Sequence, residues 1–141
     1  MKNLCTGIKL SRTLVSLDLS SRVKSQQKNH FGIKGARLLG EVLASERCLL
    51  THLALEGCCF GNEGLRGLLE NLTPESTLIS LNLACNDLDA STPSFNYLVR
   101  KWLPRGLHSL DLSDNPRLGD AGAFILANAL NDAEEGFTPI E

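Results

Sequence analysis

A hexamer of the form LxxLxL occurs four times in the 141 residues. The copies are Leu14-Val15-Ser16-Leu17-Asp18-Leu19, Leu50-Thr51-His52-Leu53-Ala54-Leu55, Leu78-Ile79-Ser80-Leu81-Asn82-Leu83 and Leu107-His108-Ser109-Leu110-Asp111-Leu112. Their starts fall 36, 28 and 29 residues apart. A recurrence this regular restricts the chain to a stack of equivalent units. Leucine supplies 28 residues, against one Trp, one Tyr and one Met, so the interior of that stack is made of leucine.

The second half of each unit repeats as well. Phe31-Gly32-Ile33-Lys34-Gly35-Ala36 matches Phe60-Gly61-Asn62-Glu63-Gly64-Leu65, and Leu118-Gly119-Asp120-Ala121-Gly122-Ala123 matches both. Apolar residues then recur at helical spacing: Leu38, Leu39, Val42 and Leu43, then Leu65, Leu68, Leu69 and Leu72, and in the fourth unit Ile125, Leu126, Ala129 and Leu130. The third helix diverges. Pro93 is expected to open it, Phe95, Leu98, Val99 and Trp102 to form its buried stripe, and Pro104 and Gly106 to end it. Each unit is therefore a short strand, a turn and a helix of about ten residues. Such a unit cannot cover its own apolar face, so the units stack, strands beside strands in a parallel sheet and helices on the other side. Helices are wider than strands, and the stack curves with the sheet on its concave face. The expected fold is an α/β solenoid with leucines one, four and six of each hexamer pointing inward.

These hexamers, with Cys58, Asn86 and Asn115 three places beyond their last leucine, resemble the leucine-rich repeat family in its ribonuclease-inhibitor-like subtype, whose repeats are helical and about 28–29 residues long. The resemblance covers roughly 14–131 and implies one domain, with repeats at about 14–49, 50–77, 78–106 and 107–136. It also implies that position nine holds an Asn or Cys bonded to turn backbone left unpaired where the strand ends. In the first unit, counting forward from Leu14 gives Arg22, whereas counting back from Phe31-Gly32 gives Asn29. Asn29 is preferred, with about seven residues around Ser21–Gln27 inserted as a bulging loop, which accounts for the long first spacing.

Phe137 and Ile140 fit positions one and four of a fifth unit over 137–141, and Leu4, Ile8 and Leu10 fit the helix of a preceding one. Neither end shows a polar capping face. The chain is therefore expected to be a segment of a longer solenoid, the alternative being a polar tail over Asn131–Glu141.

Net charge is −2, which offers no basic face for nucleic acid. No apolar run approaches the roughly 18 residues of a membrane span. The five cysteines, Cys5, Cys48, Cys58, Cys59 and Cys85, form no CxxC pair, which argues for reduced thiols in the cytoplasm or the nucleus and against a metal knuckle. His30, His52 and His108 lie in different units, and no GxxxxGK[ST], HExxH or GxSxG occurs. No catalytic group, metal or cofactor is expected, and the two glycine-flanked tetrads, Gly32–Gly35 and Gly61–Gly64, read as turn-to-helix punctuation.

The surface that remains is the strand face. Positions three, five and seven point out of the sheet, giving columns Ser16, His52, Ser80 and Ser109; Asp18, Ala54, Asn82 and Asp111; and Ser20, Glu56, Ala84 and Ser113. These columns are small and polar, with an acidic lean from Asp18, Glu56 and Asp111 that favours a basic protein partner through steering. A solvated sheet needs polar residues whether or not anything binds, and the columns lack the Trp, Tyr and Arg of interface hot spots. A second candidate is the inserted loop, with Arg22, Lys24 and Lys28 on a rigid scaffold. The resemblance implies protein binding without catalysis. Its contexts include inhibition of a ribonuclease, the sensor segment of innate immune receptors, and activation of a small GTPase, for which Arg22 would be the arginine offered to the partner.

Overall fold

A computed structural model describes residues 1–21, 29, 32–72 and 76–135. The elements run α1 (Lys2–Leu10), β1 (Ser16–Asp18), α2 (Gly32–Leu43), β2 (His52–Ala54), α3 (Gly61–Leu69), β3 (Ser80–Asn82), α4 (Pro93–Tyr97), β4 (Ser109–Asp111) and α5 (Gly119–Glu135). The four strands form one parallel sheet in sequence order. Leu17, Leu53, Leu81 and Leu110 pair directly across it. Helices pack on helices in the same order, α1 on α2, α2 on α3 and α3 on α4. The result is an α/β repeat solenoid.

The hexamer leucines face inward where a unit has neighbours on both sides. Leu50, Leu53 and Leu55 and then Leu78, Leu81 and Leu83 are all buried. In the outer units the expectation holds only in part. Leu14, Leu17, Leu19, Leu110 and Leu112 pack against the core but are half-buried, because β1 and β4 are each paired on one side among the described residues. Two residues that follow helical spacing are uncovered as well. Leu10 is 70% exposed although α1 buries Cys5 and Ile8 against α2, and Leu130 is 53% exposed although Ala129 beside it is buried.

Two glycines are required by close approach. A Cβ on Gly40 would lie 2.3 Å from the Leu68 carbonyl oxygen, so α2 and α3 meet backbone to backbone there. Gly57, at position eight, has φ +66°, and its Cβ would lie 2.4 Å from the Ser21 carbonyl. Positive φ recurs at position eight in the next two units, at Cys85 (+56°) and Asp114 (+53°), so every described strand from β2 onward ends in the same left-handed turn.

The third unit departs from the others as its sequence does. Pro93 opens α4 with Thr92 as N-cap, and Phe95, Leu98, Val99 and Trp102 are all buried. After Tyr97 the helix continues as a π turn, Leu98–Trp102, and then a 3-10 turn, Leu103–Arg105. Pro104 thus lies inside the last turn instead of beyond it, and Gly106 at φ +137° ends the segment. α5 is longer than expected, at 17 residues. The expected fifth unit over 137–141 lies outside the described residues.

Candidate functional site

Three rows of side chains cross the strands, and the register sets them. Ser16, His52, Ser80 and Ser109 are direct cross-strand partners, as are Asp18, Ala54, Asn82 and Asp111. Strand spacing puts successive members of a row about 4.8 Å apart. Ser16, His52 and Ser109 are exposed, and Ser80, Asn82, Asp111, Ser20 and Glu56 are half-buried. Ala84 is buried, which leaves a gap in the position-seven row between Glu56 and exposed Ser113. His52 Nδ1 lies 2.8 Å from Thr51 Oγ1, and His108 Nδ1 lies 2.7 Å from the Gly106 carbonyl oxygen.

Position five has a structural task that its chemistry alone did not reveal. Asp18 Oδ1 accepts from the Ser20 amide at 2.8 Å, Asn82 Oδ1 from the Ala84 amide at 2.9 Å, and Asp111 Oδ1 from the Ser113 amide at 2.9 Å. Each closes the turn that ends its strand. The second unit has Ala54 there, and its equivalent amide, Glu56 N–H, donates instead to Ser20 Oγ of the first unit at 3.2 Å. Ser113 Oγ also donates to Asp111 at 2.6 Å, and these two bonds hold the Asp111 carboxyl below the usual carboxylate range. The acidic column is therefore partly a set of strand caps. An Asp→Asn change removes the charge and keeps the cap.

Behind the rows runs the position-nine ladder. Asn86 Nδ2 donates to the carbonyls of Leu55, Leu83 and Ala84 at 2.8, 3.1 and 3.0 Å. Asn115 Nδ2 does the same for Leu83, Leu112 and Ser113, and its Oδ1 accepts from the Asn86 and Leu88 amides, both at 3.0 Å. Cys58 fills the role with its thiol, which donates to the Leu19 carbonyl at 3.3 Å. Asn29 Nδ2 donates to the same carbonyl at 3.0 Å, and its amide donates to Ser21 Oγ. Arg22, Lys24 and Lys28 lie outside the described residues.

Side chains between units were not legible in the repeat. Thr51 Oγ1 donates to the Val15 carbonyl, and Thr77 Oγ1 to those of Cys48 and Leu50. Asn62 Oδ1 accepts from the Asp89 amide, and Arg117 spans back to Asp87 and Asp89. The Ser91 amide and hydroxyl, followed by Arg117, hold the Asp89 carboxyl below its ordinary range.

All five cysteines are free, and they differ in burial. Burial, with help from Cys59 and Asp18, pushes the Cys58 thiol up to about 12. Cys59, next in sequence, is exposed, and Cys5 and Cys48 are buried. Brief treatment of the native protein with a maleimide is expected to modify Cys59 first and Cys58 last, by peptide mass spectrometry. Equal rates at the two positions would mean the turn is not closed as described.

Among the described residues, no group of three or more His, Cys, Asp or Glu could hold a metal ion, and no helix is long and apolar enough to cross a membrane. A family model described as Leucine Rich repeat matches residues 48–69 and 106–127, segments that carry β2 with all of α3 and β4 with the first half of α5. No curated protein matches the chain significantly. Leucine-rich repeat domains generally mediate protein–protein interaction, on the extended surface that stacking creates. Two of the four units thus match the leucine-rich repeat model, and the other two pair with them in the same parallel register of an α/β repeat solenoid.

Proposed function

We propose that the strand face binds a protein partner without catalysis, and that Asp18, Glu56 and Asp111 favour a partner with a basic surface. The supporting observation is the register: it lines up Ser16, His52, Ser80 and Ser109 on a rigid frame whose turn amides are bonded internally. A preformed surface loses little ordering entropy on docking. Unit spacings of 28 and 29 residues, a helical segment after each strand and Asn or Cys at position nine support the ribonuclease-inhibitor-like subtype. The free thiols support a reducing compartment, the cytosol or the nucleus.

The test is site-directed photo-crosslinking in cell extract. A photoreactive residue replaces Ser80 or Ser109 on the strand face, or exposed Glu63 or Arg66 on α3 as controls. The proposal expects one polypeptide captured from both strand positions and from neither helix position, with capture weakened in Asp18→Asn/Asp111→Asn. Equal capture from α3, or capture indifferent to the double change, would remove the strand face as the site.

A further inference from the structure

The strand face changes character along its strands. One residue before Ser16, His52, Ser80 and Ser109 lie Val15, Thr51, Ile79 and His108, and backbone bonds hold this row in register too. The Thr51 amide donates to the Val15 carbonyl, Ile79 to Thr51 and His108 to Ile79, at 2.9, 2.9 and 2.8 Å. Val15 and Ile79 are 51% and 38% exposed. Thr51 between them spends its hydroxyl on the Val15 carbonyl and on His52 Nδ1, which leaves its methyl as the part without a polar bond. Three adjacent strands thus begin with apolar surface in contact with water.

Where the strands end, the face is acidic. Glu56, Asp111 and Asp114 have no basic partner among the described residues, and Arg117 is engaged by Asp87 and Asp89 instead. The three carboxylates converge on Cys85. Burial, the bond its thiol donates to Asp114 Oδ2 at 3.6 Å, and the charges of Asp114, Glu56 and Asp111 together push that thiol up. Between the two borders lie the small side chains of Ser16, Ser80 and Ser109. A further unit stacked at either end would lengthen these rows without covering them.

The dimensions suit one kind of occupant. Position two lies about 10 Å from position five along a strand, close to the width of an α-helix with its side chains. Four strands span about 14 Å across the sheet, or roughly ten residues of helix. We propose that the face receives one amphipathic α-helix of a partner protein, lying across the strands, with apolar side chains toward Val15, Thr51 and Ile79 and Lys or Arg toward Glu56, Asp111 and Asp114. The inference rests on the strand-face reading above and adds the partner's local structure and its orientation. A helix carries apolar and basic stripes side by side along its length. An extended segment alternates its side chains between opposite faces, so it would turn one set away from the sheet.

Two synthetic peptides of about 14 residues, with the same Leu, Lys and Ala content, test this on the full chain by fluorescence anisotropy. One places Leu and Lys in separate stripes at helical spacing, and the other alternates them. The striped peptide is expected to bind at least about tenfold more tightly. Glu56→Gln/Asp111→Asn/Asp114→Asn is expected to weaken it about tenfold, and Val15→Ser/Ile79→Ser by a similar factor. Asn retains the cap at position 111 and accepts the φ of +53° at position 114. A photoreactive group in the Leu stripe should crosslink near Val15 or Ile79, and one in the Lys stripe near Asp111 or Asp114. Equal binding of the two peptides, indifference to either variant, or interchanged crosslinks overturns the proposal. Circular dichroism of each variant separates a lost contact from a lost fold. If the striped peptide does not bind while capture from Ser80 and Ser109 in extract persists, the helix is overturned and the strand-face reading stands. Loss of that capture as well overturns both.

Discussion

Replacing Asn115 with Ala is expected to cost about 3–5 kcal/mol of folding stability, clearly more than the same change at Asn86. The two asparagines occupy the same place in adjacent units, yet their surroundings differ. Asn115 makes bonds in both directions: its Nδ2 serves three carbonyls and its Oδ1 accepts the Asn86 and Leu88 amides. Truncation would leave those two amides without their acceptor in a buried site, at about 1–3 kcal/mol each. Asn86 serves three carbonyls, of which Leu83 also accepts from Asn115 and Ala84 also accepts from Gly57. Among the described residues, only the Leu55 carbonyl depends on Asn86 alone, and Asn86 Oδ1 is buried with no partner. Removing that atom relieves a penalty that partly offsets the lost bonds. Urea titration of both variants measures the difference, and a larger loss at Asn86 would contradict the bonding described.

The second large effect is at Leu81. Its side chain is 1% exposed, on the strand paired with both Leu53 and Leu110. Leu81→Ala is expected to cost about 2–5 kcal/mol, the sum of lost burial and an unfilled cavity. Ser80→Ala, one residue away on the opposite face, is expected to stay within about 0.5 kcal/mol. Leu17→Ala and Leu110→Ala should fall between, because both positions are half-buried in outer units. A cost at Ser80 above that at Leu81 would place the wrong face inside.

The order of units, the direction of the strands and the side chains of the core were legible from the hexamers. A period-two pattern assigns each residue of a strand to one face, and the repeat carries that assignment from unit to unit. Asn86, Asn115 and Cys58 were legible for the same reason. The tasks of Asp18, Asn82 and Asp111 were harder to read, since an exposed carboxylate that caps a turn and one that awaits a partner look alike in a sequence. Ala54 was the available signal: a capping position filled by Ala needs a substitute, and Ser20 supplies it from the neighbouring unit. Bonds between units, such as Thr77 to Leu50 or Arg117 to Asp89, depend on how far one helix-and-turn layer is offset from the next. Leu10 and Leu130 followed helical spacing but stayed exposed, because spacing selects a face of the helix and the neighbouring unit determines whether that face is covered.

Stacking of the four hexamers in one register is the claim beneath the strand-face site and the ladder alike. Interstrand proton contacts measured by NMR test it directly. The account predicts cross-strand contacts linking Leu17 to Leu53, Leu53 to Leu81 and Leu81 to Leu110, all in the parallel sense. Contacts displaced by one residue at any of the three junctions would turn the leucines outward and contradict it.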